Sequence, residues 1–159
     1  METTGKLVNA INNEGMRYKY FTFLLDSQLY AIPIANVVQI IEVQPIIQLP
    51  DSPSHFLGMI NVRGHTIPVI DIRAMLKIPA AKTGKNNSIV IISTNGKTAG
   101  FLADSVHEVT DIPPRKMMDT ASNKGSEGAN EYIAALSRHR RKTVIHLNLN
   151  KLLAEKSAI

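Results

Sequence analysis

The 159-residue chain is 44% hydrophobic but only 5% aromatic, it contains no Trp, and its formal net charge is +5. Its length allows one domain or two very small ones, with roughly 70% of the unfolded surface buried on folding around Ile, Val, Leu and Met. The absence of Cys excludes disulfides, Cys-based zinc sites and thiol nucleophiles. Since no apolar run approaches the roughly 18 residues of a membrane span, we expect a cytoplasmic protein without direct membrane insertion.

The predicted strands form two copies of one pattern. The segment "YFTFLLDSQLYAIPIANVVQI" aligns without a gap on "IVIISTNGKTAGFLADSVHEV", at a constant offset that pairs Phe23 with Ile92 and Ile32 with Phe101. Each copy reads as a strand, a two-residue turn ("DS" or "NG") and a second strand, followed by a further apolar segment. A helical turn is predicted between these last two elements, near residues 34–38.

The second part of each copy corresponds as well. Here "TIPVIDIRAML" matches "KTVIHLNLNKLL" at a slightly larger constant offset, which pairs Ile70 with Leu147. A polar linker, "PAAKTGKNN", separates the copies. We predict a helical turn at Asp71 to Leu76 and a C-terminal helix that runs to Ala154 after Asn148, which can cap it. The repeat favours two small β-barrels or curled sheets of similar topology.

In the hairpin "NVRGHTIPVID", the first strand ends at a charged residue, Arg63. In "GMINVR" the alternation places Ile60 and Val62 on one face and Arg63 on the other. Gly64 is expected to supply the turn, and Gly58 to mark a bulge or a close approach by another backbone. Arg63 is therefore either a solvated turn residue or a charged anchor on a protein interface, where Arg is enriched.

The sequence contains no recognisable catalytic, nucleotide-binding or metal-binding motif. The "NGKT" segment lacks the first glycine of a phosphate loop and is instead typical of a type I′ hairpin turn. The five histidines lack ligand spacing and are interpreted as surface or turn residues. The acids Asp26, Asp71 and Asp104 stand singly, as turn and cap residues do. We predict no enzymatic activity, no catalytic residue, no cofactor and no metal.

The run from Arg138 to Lys142 contributes much of the positive charge. Its first interpretation is a solvated hairpin loop, and the alternative is a small basic β-barrel that binds nucleic acid. No aromatic residue is interleaved in the run to stack on bases, so nucleic acid is not the expected partner.

Several segments together resemble the CheW-like chemotaxis coupling proteins: "YAIPIANVVQII", "LPDSPSHFLGMINVRGHTIPVIDIRAML", "GFLADSVHEV" and "VIHLNLNKLL". The resemblance runs from Tyr18 to Leu153. It implies an all-β fold of two SH3-like five-stranded barrels around a shared hydrophobic core, with short helical turns and a short C-terminal helix. It also implies one domain over residues 18–153, with intertwined subdomains at about 18–80 and 86–153, exchange of strands at their ends, and tails at 1–17 and 154–159.

The same resemblance implies a non-enzymatic adaptor that links the cytoplasmic tips of methyl-accepting chemotaxis receptors to the regulatory domain of the histidine kinase CheA, in receptor arrays at the inner face of the membrane. A role in a non-flagellar chemosensory pathway is the alternative within the family. Some members carry Glu where this chain has Gln39, and that loss removes a charge. The partner-binding residues implied by resemblance are Val37, Gln39, Gly58, Arg63, Gly64, Gly100, Val106 and Val109.

Overall fold

The computed structural model describes residues 18–52, 55–119 and 131–154, without the side chain of Asp119. The predicted tail at 1–17, and all of the tail at 154–159 except Ala154, lie outside these residues. The strands are β1 Lys19–Leu25, β2 Gln28–Pro33, β3 Val37–Glu42, β4 Phe56–Val62, β5 His65–Ile70, β6 Ser88–Thr94, β7 Lys97–Ala103, β8 Ser105–Asp111, β9 Met117–Asp119, β10 Ile133–His139 and β11 Lys142–Leu147. Helices α1 Ile72–Met75 and α2 Leu149–Ala154 follow β5 and β11, and 3₁₀ turns lie at Ile34–Asn36 and Pro114–Lys116.

The strands form two sheets, and each sheet takes strands from both copies of the repeat. Sheet A has the order β8-β1-β2-β11-β10-β9, and sheet B the order β3-β6-β7-β5-β4. The first hairpin of one copy therefore pairs with the later strands of the other copy. This all-β arrangement agrees with the expected pair of SH3-like barrels, but β9 adds a sixth strand to sheet A that the sequence did not indicate. The ranges 18–80 and 86–153 delimit the repeats rather than the sheets, and as domain boundaries they stay a prediction.

Each sheet contains one parallel strand pair near its middle, and in that pair a strand of one repeat lies beside a strand of the other. In sheet A, Ala31 of β2 pairs with His146 of β11, and in sheet B, Val69 of β5 pairs with Gly100 of β7. These two pairs occupy equivalent positions. The first offset of the repeat carries Ala31 onto Gly100, and the second offset carries Val69 onto His146. The sequence repeat is therefore also a repeat of strand pairing.

The hairpin turns follow from local backbone geometry. Positive φ at both central residues, the signature of type I′, occurs in four turns of the described chain: Asp26 and Ser27, Arg63 and Gly64, Asn95 and Gly96, Arg140 and Arg141. This turn type matches the right-handed twist of the strands that it connects. The predicted turns at "DS" and "NG" are confirmed, and "NGKT" is a hairpin turn between β6 and β7.

The largest hydrophobic core of the described residues lies between the sheets, and a smaller cluster packs within each sheet's own barrel. Phe23 of β1 packs against Phe101 of β7 with ring centroids 5.0 Å apart, and against Tyr30 of β2 at 5.8 Å. The same cluster contains Met75 of α1 and Leu152 of α2, so strands of both sheets and both helices contribute to it. The shared core is confirmed, and several of the few aromatic residues of the chain lie at its centre.

The predicted helices are confirmed together with their caps. Asp71 Oδ1 accepts a hydrogen bond from the backbone N of Ala74 at 3.1 Å, and Asn148 Oδ1 accepts one from Lys151 N at 3.1 Å. Each cap satisfies an amide that a helix start would otherwise leave unpaired. The two capping residues align with each other in the second part of the repeat, so the caps are equivalent as well.

Candidate protein-binding surface

Arg63 lies in the tight turn between β4 and β5 and is exposed. Its φ is 50° and that of Gly64 is 85°, so Gly64 supplies the second left-handed residue of the turn, a conformation that glycine adopts at no steric cost. Gly64 N donates to Asn61 Oδ1 at 3.0 Å, and Gln44 Nε2 donates to the Asn61 carbonyl at 2.9 Å. The turn is thus held from two sides, and the guanidinium projects from a fixed backbone.

A groove opens beside Arg63, which we call the Arg63 groove. Gln39, half-buried on β3, and Arg63 line it together, and Val38 on the same strand is 50% exposed. The remaining lining comes from the β4–β5 hairpin and the middle of sheet B: Val62, His65, Thr66, Ile67, Ile91 and Thr98. The groove combines exposed apolar surface with hydrogen-bonding groups and one cation, a composition suited to a protein partner.

Gly58 has a structural role near the start of β4, against Ile46 and Ile47, and does not line the Arg63 groove. Its φ is +150°, and a Cβ placed there would lie 2.7 Å from Ile46 Cγ2 and collide with the Ile47 carbonyl. The ladder between β4 and β5 shifts register at this point. Both predicted alternatives, the bulge and the close approach of another backbone, are therefore present at Gly58.

Two other candidate residues are buried, which corrects their expected place on the surface. Val37 is 5% exposed and belongs to the core between the sheets. Gly100 is buried in β7, where an added Cβ would lie 3.2 Å from Ile89 Cγ2. Neither residue offers a side chain to a partner, so substitution at either would act through the fold.

Val106 and Val109 lie on β8, an edge strand of sheet A, and not beside the Arg63 groove. Val106 pairs with Phe23 and Val109 with Phe21 of β1, and both valines are half-buried against the core. The structure therefore brings Gln39, Arg63 and Gly64 together on sheet B and places the two valines at the edge of the other sheet.

The residues of sheet A that are equivalent to Gln39 and Arg63 were missed by sequence reasoning. Glu108 on β8 is the repeat equivalent of Gln39, and Arg140 in the β10–β11 turn is the equivalent of Arg63. A Glu108 carboxylate oxygen lies 3.2 Å from His139 Nε2 and 3.5 Å from Arg140 Nη1. The two constant offsets of the repeat could have identified this pair, because the first offset maps Gln39 onto Glu108 and the second maps Arg63 onto Arg140.

Two of the single acids converge on one arginine, which corrects their interpretation as isolated turn residues. Arg73 of α1 donates to Asp104 at 2.7 Å, to Asp26 at 3.0 Å and to the Pro79 carbonyl at 2.6 Å. Burial lowers the pKa of Arg73, but the hydrogen bonds to Asp104 and Asp26 outweigh it and raise the pKa above the ordinary value. The cluster borders a second cavity, next to the linker, that contains none of the predicted site residues.

His146 is buried, contrary to the prediction that every histidine lies on the surface or in a turn. It is 3% exposed, and its Nε2 lies 2.8 Å from Ser137 Oγ. Burial lowers the pKa of His146 to about 4, so the ring is neutral at pH 7. Ser137 is itself 0% exposed, so no substrate reaches this serine and histidine pair.

Neither a metal-binding cluster nor a membrane-spanning helix is present in the described ranges. Residues 18–52, 55–119 and 131–154 contain no group of three or more His, Asp or Glu side chains arranged to hold a metal ion. Neither α-helix within those ranges is long and apolar enough to cross a membrane.

The fold and the groove define a paired-barrel module that presents a shaped surface. Comparison with known proteins agrees: the sequence pattern of the CheW-like domain matches residues 19–157. The chain is 31% identical over 101 residues to the chemotaxis protein CheW of Helicobacter pylori, a match that covers 60% of this chain and 61% of that protein, less than two thirds of its length. It is 27% identical over 151 residues to the chemotaxis protein CheW of Treponema pallidum, covering 92% of this chain and 87% of that protein.

A solved structure shows the same architecture. The scaffolding protein TtCheW from Thermoanaerobacter tengcongensis superposes with a TM-score of 0.75 at 27% identity, over 84% of this chain and 90% of that one. The chain belongs to the CheW-like domain family.

Proposed function

We propose that this protein is a non-enzymatic adaptor of bacterial chemotaxis, which couples methyl-accepting receptors to the histidine kinase CheA. The observation that carries the proposal is the match of the CheW-like domain over residues 19–157, on a fold that superposes on a CheW scaffolding protein. An adaptor needs shape and surface rather than a reaction of its own, and the Arg63 groove supplies such a surface.

The Arg63 groove is the proposed docking site for a receptor tip or for the regulatory domain of CheA. Val38 and Ile67 supply apolar contact, while Arg63 and Gln39 fix orientation through hydrogen bonds. Gln39 is neutral, so Arg63 is left to pair with an acidic or carbonyl-rich partner surface. Gly64 acts in the turn that presents Arg63, whereas Gly58 acts through the packing of β4 against Ile46 and Ile47.

The proposed place of action is the cytoplasmic side of the membrane, where receptor tips and kinase assemble into arrays. Signal passes through the adaptor as a shift in the populations of assembly states, since the adaptor itself carries out no reaction. The second-barrel residues Val106 and Val109 remain proposed partner contacts, at the edge of sheet A.

The experiment is a titration of the purified protein with a helical-hairpin fragment of a receptor tip, and separately with the regulatory domain of CheA. Saturable binding of both partners is expected. Receptors and kinases from flagellar and from non-flagellar chemosensory pathways are compared, and the pathway is the one whose components bind. Failure of every receptor and kinase fragment to bind would overturn the proposal.

A further inference from the structure

The tip of the β10–β11 hairpin carries a dense positive charge that the adaptor role leaves unused. Its cations come from two neighbouring segments. Met117 of β9 pairs with Ser137 of β10, so Lys116 and Arg138 come next to one another at this end of the sheet. All six cations are exposed: Arg115, Lys116, Arg138, Arg140, Arg141 and Lys142. We call this surface the basic hairpin end.

The β10–β11 turn has a backbone conformation that its two central residues, Arg140 and Arg141, do not favour. Arg140 has φ 51° and Arg141 has φ 69°, both in the left-handed region that a side chain with Cβ adopts at a cost. The equivalent turn holds Arg63 with Gly64, and the β6–β7 turn holds Asn95 with Gly96, the pair that type I′ geometry favours. The two arginines are therefore kept where local stability favours Asn and Gly, which is typical of a functional position.

Glu108 contacts the β10–β11 hairpin but does not neutralise the charge of the basic hairpin end. A Glu108 carboxylate oxygen lies 3.2 Å from His139 Nε2 and 3.5 Å from Arg140 Nη1, while the Arg140 side chain stays 73% exposed. One carboxylate cannot balance the six cations, so the basic hairpin end keeps a strong positive charge. The guanidinium of Arg140 remains largely open to solvent.

We propose that the basic hairpin end is a second interaction surface, distinct from the Arg63 groove, that binds an acidic segment of a partner protein. Guanidinium forks match carboxylates in a bidentate geometry. Its position supports a protein partner, because it is the repeat equivalent of the Arg63 turn on the other barrel. Nucleic acid fits less well, since neither the 138–142 run nor residues 115–116 contain a Phe, Tyr or Trp on which a base could stack, and the one ring in the run, His139, is half-buried against Glu108.

The test uses a variant that removes charge while improving the turn. Arg140→Asn with Arg141→Gly installs the favoured type I′ pair, so the melting temperature should rise by a few degrees. A fluorescent deca-glutamate peptide is titrated by anisotropy in about 50 mM salt, where surface charges are weakly screened. Wild type should bind, and the double variant should bind about tenfold more weakly.

A matched control removes two cations elsewhere. Lys82→Ala with Lys85→Ala, in the exposed linker, should leave peptide binding within about twofold of wild type because these lysines lie outside the basic hairpin end. Absence of peptide binding by wild type, or equal loss in both double variants, would overturn the proposal. Tighter binding of a DNA duplex of matched total charge would also overturn it, in favour of nucleic acid. A lower melting temperature for the Asn-Gly variant would refute the argument from the turn.

Discussion

Arg63 is positioned by its backbone rather than by contacts of its own side chain. The turn is fixed by its positive φ values and by two hydrogen bonds. Asn61 accepts both of them, one from Gly64 N and one from Gln44 Nε2. We therefore expect Arg63→Ala to leave the melting temperature nearly unchanged and to weaken binding of the kinase or receptor fragment by about 1–3 kcal/mol. Paired thermal melts and calorimetric titrations measure both effects.

Lys85→Ala is the control for this prediction, because Lys85 is also an exposed cation but lies in the linker. It should change neither stability nor affinity. A large fall in the melting temperature of Arg63→Ala, with unchanged affinity per folded molecule, would make Arg63 a structural residue.

His146 makes stability depend on pH. Its pKa is about 4 in the folded protein and about 6.5 when unfolded, so its contribution is complete above pH 6.5 and is lost as pH falls toward 4. The shift corresponds to about 3 kcal/mol. Charging the ring would also place a proton on Nδ1, which has no hydrogen-bond partner among the described residues.

Denaturant unfolding at pH 7 and at pH 4.5 measures this dependence. His146→Gln should flatten the loss of stability between the two pH values, whereas His65→Gln, at an exposed position, should retain it. Identical pH dependence in wild type and His146→Gln would show that other groups cause the acid sensitivity.

At the scale of elements, the two helices are tied to hairpin turns in the same way but with different chemistry. Arg73 of α1 binds Asp26 in the β1–β2 turn, while Asn150 of α2 accepts from Asn95 in the β6–β7 turn at 2.9 Å. Arg73 and Asn150 are equivalent in the repeat, as are Asp26 and Asn95. One contact is ionic and the other is an amide hydrogen bond.

Because one contact is ionic and the other is neutral, we predict that removing Arg73 lowers the stability of the fold more than removing Asn150. Arg73→Ala leaves Asp26 and Asp104 without their shared cation and should cost about 2 kcal/mol, discounted because both carboxylates keep contact with water. Asn150→Ala loses neutral hydrogen bonds to Thr94 and Asn95 and should cost about 1 kcal/mol. Urea midpoints compare the variants, and an equal cost for both would contradict the assigned role of charge.

The elements that the sequence predicted are those governed by local rules. The turn at Asn95 and Gly96 and the helix capped by Asn148 depend on a few adjacent residues. His146 was misplaced although the alternation of "TVIHL" sets it on the same face as Val144, which is also buried. The convergence of Asp26, Arg73 and Asp104 could not be predicted, because it depends on three distant segments that only the tertiary fold brings together.

At the scale of the whole molecule, the repeat indicated two similar units but not how they combine. Local patterns specify a hairpin, yet they do not specify which other strands it joins, and the first hairpin of each copy here joins the later strands of the other copy. The exchange gives the two barrels a shared main core, so we expect the described domain to unfold in a single cooperative transition. Non-coincident transitions of fluorescence and circular dichroism would contradict this expectation.

The same architecture presents two equivalent barrel ends with different charge. The Arg63 groove carries one arginine beside a neutral Gln39, whereas the basic hairpin end carries six exposed cations, of which Arg140 pairs with Glu108. Unlike charge allows the two ends to prefer different partners, and an acidic segment is the partner proposed for the basic hairpin end.

The most direct test of the adaptor account is a calorimetric titration of the purified protein with the regulatory domain of a CheA kinase from the same cell. Duplex DNA is titrated in parallel at the same salt concentration. The account predicts saturable binding of the kinase domain and none of DNA. Binding of DNA alone would contradict it and would mean that this chain shares the fold of its family but not the function.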